Sequence, residues 1–206
     1  MIVGLHGKIG SGKQTVAKMM AAEFRNYGYT PYYRIWAGKL KQVSQVLTEI
    51  KMETDFDNAF EDGITDYSQE QKNILVKEYD MTLGRMFQVI GTDLFREHFN
   101  KKTWILALLN SYHRMVKLNP QIVWLVADTR FPNEADDIID ACGGKVISIY
   151  RPYNDVRDNT TRDKSHESET ALDNYKKFSH LIANDCSLEE LQAKVTDTVS
   201  KLMNQS

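Results

Sequence analysis

Near the N-terminus, Gly7-Lys8-Ile9-Gly10-Ser11-Gly12-Lys13 sets three glycines and two lysines within seven residues, and Gln14 and Thr15 follow. These residue types at this spacing suit the binding of phosphate. Glycine lets the backbone fold around an anion with its N–H groups turned inward, and a helix starting there adds partial positive charge. Lys13 is placed to reach the β- and γ-phosphates of a nucleotide, with Gly7, Lys8, Gly10, Ser11, Gly12, Gln14 and Thr15 forming the cradle. The pattern G-x-x-x-x-G-K-[ST] is met except at its last place, where Gln14 stands and a hydroxyl arrives one residue later as Thr15. Thr15 is therefore expected to meet magnesium through water. A glycine-rich turn that binds no nucleotide is the plain alternative.

A second group has complementary chemistry. Asp128 ends the apolar run Ile122–Ala127, and ligands of open α/β sheets bind beyond the carboxyl ends of strands. A carboxylate there holds magnesium through water or orients a cation, and Arg130 is placed to meet a second phosphate. An N-cap aspartate beside a solvated arginine explains the same pair more plainly. Arg85 and Gln88 share a helix face, and Arg96, eleven residues from Arg85, returns to that side after about three turns. With Trp36 and Lys41 they are expected to contact the acceptor, although a solvated face accounts for the helical three equally well. Arg151, Arg157 and Arg162 fall in a charged segment that reads as a lid, with His166 and Glu169 as its latch. Arg151 is expected to act on the transferred group.

The elements that position these residues alternate between strand and helix patterns, which points to an α/β fold with a mainly parallel sheet covered on both faces. Five strands are expected, over Ile2–His6, Tyr32–Trp36, Ile122–Ala127, Val146–Tyr150 and Leu181–Ala183. Helices are expected over about Gln14–Tyr27, Gly38–Ile50, Ser68–Tyr79, Leu83–Phe99, Thr103–Lys117, Asn133–Cys142 and Ser187–Met203. The acidic stretch Lys51–Tyr67 reads as a loop. One domain is expected over the whole chain, with a helical acceptor region at about 38–120 and the lid at about 151–169.

Composition bounds the rest. The 206 residues are 42% hydrophobic and 26% charged with net charge -2, so no overall positive field draws nucleic acid or anionic lipid. Cys142 and Cys186 make no metal-binding pair. The apolar run Met1–Leu5 is too short for a signal peptide, and no stretch approaches a membrane span. The expectation is a cytoplasmic protein with small-molecule partners, for which a homodimer stays an open arrangement.

Several motifs together resemble the bacteriophage-type deoxynucleoside monophosphate kinases: GKIGSGKQT (Gly7–Thr15), RMFQVIGTDLFR (Arg85–Arg96), Trp104, DTRFPNE (Asp128–Glu134), Arg151-Pro152, HESE (His166–Glu169) and Asn184-Asp185. The resemblance covers almost the whole chain. It implies a three-layer P-loop kinase fold, ATP and magnesium, a dNMP acceptor and the products ADP and dNDP. By motif, Lys13 becomes the ATP-phosphate residue, and Arg130 with Arg85 the acceptor-phosphate contacts. The stretches Ile122–Arg130 and Glu167–Asn174 also resemble the animal phosphomevalonate kinases, while Gln88 with Gly91-Thr92 favours the nucleotide reading. An ATPase or switch module is a third reading, although no N-K-x-D element accompanies the loop.

Overall fold

Apolar runs of five residues without alternation suit strands covered on both faces, as a parallel sheet requires. Strand β1 (Ile2–His6) is such a run and is buried at every position. The computed structural model describes residues 1–8, 10–55, 60, 64–152 and 170–204. After β1 the glycine loop leads into α1 (Lys13–Asn26), then β2 (Thr30–Arg34) and α2 (Gly38–Thr48). A small helical region follows: a hairpin β3 (Glu53–Asp55) and β4 (Ile64–Asp66), α3 (Gln69–Lys72), a second hairpin β5 (Leu75–Val76) and β6 (Met81–Thr82), then α4 (Leu83–Gln88), which runs on as a π-helix over Val89–Arg96. The chain continues through α5 (Thr103–Leu118), β7 (Ile122–Val126), α6 (Pro132–Asp136) with a π-helical extension Asp137–Ala141, β8 (Lys145–Tyr150), β9 (His180–Ala183) and α7 (Leu188–Asn204). No described helix is long and apolar enough to cross a membrane.

The main sheet has the order β2-β7-β1-β8-β9, and all its pairings are parallel. Side chains alternate across it with period two. Val3 and Leu5 of β1 enter a core with Val16, Met20 and Phe24 of α1 and Leu191, Val195 and Val199 of α7. Ile2 points to the other face, where Trp124 and Val126 of β7 meet Ile105, Leu108 and Tyr112 of α5. Three layers result, as expected. A third cluster of Leu40, Tyr67, Leu83, Met86, Ile90 and Trp104 holds the helical region together.

The second strand lies at Thr30–Arg34, two residues before its expected place, the helix expected over Asn133–Cys142 is π-helical from Asp137, and three elements differ further. The helix expected over Ser68–Tyr79 lasts one turn. Its Ser68–Gln71 capping box closes, but the turn buries no residue, and a short helix without a packed face does not propagate. The chain instead makes the β5–β6 hairpin, turned through Asp80 at φ 50°. The loop expected over Lys51–Tyr67 contains the β3–β4 pairing. Helix Leu83–Phe99 changes to i→i+5 bonding from Val89 onward, and these wider turns remove the phase that was to bring Arg96 back beside Arg85. Gly91 sits within that π segment: a Cβ there would lie 2.7 Å from Leu40 Cδ2, and its carbonyl accepts the buried Trp104 indole N–H at 2.9 Å.

Candidate active site

The loop after β1 needs backbone that only glycine adopts without strain. Gly10 and Gly12 lie in the left-handed region, at φ 76° and 90°. At Gly7 a Cβ would fall 2.4 Å from Ser11 Oγ and 2.6 Å from the Ile149 carbonyl. The loop closes on itself through Ser11 N–H donating to Lys8 O at 3.1 Å. Lys13, the first residue of α1, folds its ammonium back over the loop to donate to the carbonyls of Gly7 and Lys8. Ser11 is 3% exposed, and its buried hydroxyl has no hydrogen-bond partner. Gln14 and Thr15 are exposed on the first turn of α1. Lys8 pairs with Asp173 at 3.1 Å in an exposed ion pair, worth little in water.

Because β1 and β7 pair in parallel, their carboxyl ends emerge side by side, and Asp128–Arg130 lies beside the glycine loop. Asp128 accepts the Trp36 amide at 2.9 Å. Burial raises its carboxyl above the ordinary range, against the opposing pull of that amide, Lys41 and Arg130. Lys41 is 9% exposed and is ion-paired with Asp66. Thr129, 1% exposed, donates to Val126 O at 3.3 Å, and its carbonyl faces His6 Nδ1 at 3.1 Å. The Trp36 ring is buried in the core, and its indole N–H reaches Thr129 Oγ1 at 3.4 Å. The side chain expected from the sequence to contact the acceptor is thus buried against the Asp128–Thr129 turn.

Arg96 lines a cavity of about 310 Å³ with Glu97, Lys101, Trp104, Phe131 and Glu134. Arg85 and Gln88 are elsewhere: both are exposed, Arg85 donates to Gln88 Oε1 at 3.0 Å and lies 3.7 Å from Asp93. The structure therefore sets Asp128 with Arg130 and Lys41, keeps Lys13 over the glycine loop, joins Arg96 to the Phe131–Glu134 turn, and leaves Arg85 and Gln88 exposed. Arg151 is exposed just past β8. Arg157, Arg162, His166 and Glu169 lie outside the described residues. Among the described residues no group of three or more His, Cys, Asp or Glu is arranged to hold a metal ion.

Residues 37–195 match the deoxynucleotide monophosphate kinase family. The chain belongs to this family. A protein of Acanthamoeba polyphaga mimivirus described as a putative deoxynucleotide monophosphate kinase is 27% identical over 97% of this chain and 96% of its own length. The deoxynucleoside-5'-monophosphate kinase of Escherichia phage T5 is 27% identical over 66% of this chain and 70% of its own. A shikimate kinase structure from Bacteroides thetaiotaomicron aligns over 99% of this chain and 98% of that chain at a TM-score of 0.48 and 12% identity. Family membership makes the chain a kinase that transfers a phosphoryl group from ATP to a deoxynucleoside monophosphate. It favours the nucleotide reading over the phosphomevalonate and switch alternatives.

For this kinase the fold adds residues that sequence reasoning passed over. Asn184, at the end of β9, donates from Nδ2 to Ser11 O at 2.9 Å and sits where a Cβ on Gly12 would go. Tyr33 is the second: burial, then the charges of Asp128 and Asp66, raise its phenol far above the usual range. Glu134 is the third. One carboxylate oxygen accepts the amides of Arg130 at 2.8 Å and Phe131 at 3.2 Å. Burial, opposed by the Arg130 amide and assisted by Asp128, pushes its carboxyl up to about 7. In the sequence Asn184 and Glu134 stand only inside quoted motifs, and Tyr33 has no signal beyond its place in a strand.

Proposed function

We propose that ATP and the acceptor dNMP meet between the glycine loop and the Asp128–Arg130 turn, each held by its own cationic groups. Backbone N–H groups of Gly7–Lys13 receive the ATP phosphates, and Lys13 exchanges its loop carbonyls for β- and γ-phosphate oxygens. The buried Ser11 hydroxyl, unpartnered within the protein, supplies a further donor. Arg130 and Arg96 hold the acceptor phosphate above the cavity, Lys41 adds charge at its edge, and Arg151 approaches the transferred group. Arg85 and Gln88, exposed on α4, contact a part of the acceptor farther from its phosphate. Asp128 orients Arg130 and Lys41. A phosphate monoester is already largely ionised at neutral pH, so the acceptor needs no general base.

Magnesium suits this donor set only as a companion of ATP. It keeps several waters and takes few protein oxygens, and the Thr15 hydroxyl and Asp128 carboxylate are the oxygens placed to meet it through water. When bound, it would neutralise charge on the β- and γ-phosphates.

The observation that carries this reading is the parallel β1–β7 pairing, which brings the carboxyl ends of the strands before the glycine loop and Asp128–Arg130 side by side. ADP release measured with dTMP, dGMP, dCMP, dAMP and phosphomevalonate tests it. Release should require a dNMP. Lys13→Ala should lower turnover by about 10²–10³-fold, the scale for removing one preorganised charge-stabilising donor, in a protein that still folds. Near-normal turnover in that variant, or acceptor-independent ADP release, refutes the assignment.

A further inference from the structure

Among the described residues, two glutamates reach back to the backbone at a helix start, and they differ sharply. Glu190 accepts the Ser187 amide at 3.0 Å and is exposed, as a capping side chain ordinarily is. Glu134 performs a similar cap at Phe131 but is 4% exposed and also takes the Arg130 amide, at 2.8 Å. Burying a carboxylate costs free energy that a cap alone does not require, because a solvated glutamate caps equally well.

We propose that Glu134 is a positioning residue that sets Arg130 and Arg96 for the acceptor phosphate. The proposal rests on the acceptor site described above. Both of its links are in the geometry. The carboxylate fixes the backbone from which the Arg130 side chain springs, and Pro132, at the first position of α6, stiffens the same turn. From the facing π-helix Arg96 shares the cavity that Glu134 lines and acts on its charge. The other charged groups around it are Asp128 at the end of β7, which acts against its ionisation, and Glu97 and Lys101 on the cavity wall. The α5 residues packed there, Trp104 and Ile105, bring no charge. An anion between the Arg130 backbone and the Arg96 guanidinium keeps Arg96 from turning to solvent, so less ordering remains when the acceptor arrives.

Glu134→Gln tests the charge while leaving an oxygen for both amides. Steady-state kinetics use ATP with dTMP, dGMP, dCMP and dAMP in parallel. The expected result is a rise of about tenfold in the dNMP KM, equivalent to about 1.4 kcal/mol, with the ATP KM within about twofold of the wild type. Glu134→Ala should raise the dNMP KM further. The ratio of the dNMP KM of Glu134→Gln to that of the wild type should grow from pH 6 to pH 8, because the wild-type carboxyl is mostly neutral at the lower pH and resembles the amide. Equal rises in both KM values, no rise, a flat ratio, or loss of folding in Glu134→Gln each overturn the proposal. Arg130→Ala separates the two levels. An unchanged dNMP KM there refutes the acceptor site itself, whereas a raised one beside an unaffected Glu134→Gln refutes only the role of Glu134.

Discussion

Replacing Gly12 by alanine puts a Cβ into backbone at φ 90° and 2.4 Å from Asn184 Nδ2. The left-handed conformation costs a non-glycine residue about 1–2 kcal/mol. The Asn184 amide is the end of a side chain and will swing aside, which breaks its bond to the Ser11 carbonyl at a net cost of about 0.5–1.5 kcal/mol. Together these weaken the phosphate-binding form of the loop by about 1.5–3.5 kcal/mol, or about 10- to 300-fold in the ATP Kd at 1.4 kcal/mol per tenfold. Calorimetric titration of ATP measures it, with thermal melts confirming the fold. The cause is checked by a double-mutant cycle, since Asn184→Ala alone should cost only the hydrogen bond. In Gly12→Ala/Asn184→Ala that bond is lost once rather than twice, so the pair should cost about 0.5–1.5 kcal/mol less than the two single losses added. An ATP Kd for Gly12→Ala within threefold of the wild type, or strictly additive losses, would sink the reasoning.

Two further outcomes follow from packing and titration. Gly91→Ala should lower stability by about 1–3 kcal/mol, as overpacking does, because its Cβ lands 2.7 Å from Leu40 Cδ2 within the third core cluster; an unchanged denaturation midpoint would contradict it. The Glu134 carboxyl, raised in the folded chain to about 7, holds its proton longer folded than unfolded. Its contribution is therefore fully present below the ordinary glutamate pKa and is lost as pH rises through about 7. The melting temperature of the wild type relative to Glu134→Gln should fall between pH 5 and pH 8, and a constant difference would contradict the shift.

Much of the fold is legible where one physical constraint dominates. Ile2–His6 and Ile122–Val126 are apolar at nearly every position because both faces of a central parallel strand are covered, and both are strands as expected. Lys13 follows two glycines in left-handed backbone, a conformation that residue choice announces. The Ser68–Tyr79 segment misleads for the opposite reason. Its helix-favouring polar residues bury nothing, so local propensity had no packed face to support it and the hairpin won. At the site, the residue types of Lys13, Asp128 and Arg130 were readable from chemistry and order. Arg85 was not separable from Arg96, because the switch to i→i+5 turns at Val89 leaves no mark in the periodicity, and Gly91 within it meets Leu40 and Trp104, residues outside the helix's own sequence.

Sequence alone determined which segments must be buried, where the backbone needs glycine, and which charged residues follow strand ends. Those properties are local, since each depends on a residue and its near neighbours. Tertiary structure alone decided that β7 lies between β2 and β1, so that Asp128 faces the Trp36 amide and Arg130 neighbours the loop. It also decided that Asn184 would brace Ser11 from 173 residues away. Periodicity reports that a face is buried but not what buries it, and that choice rests on the packing of the whole chain.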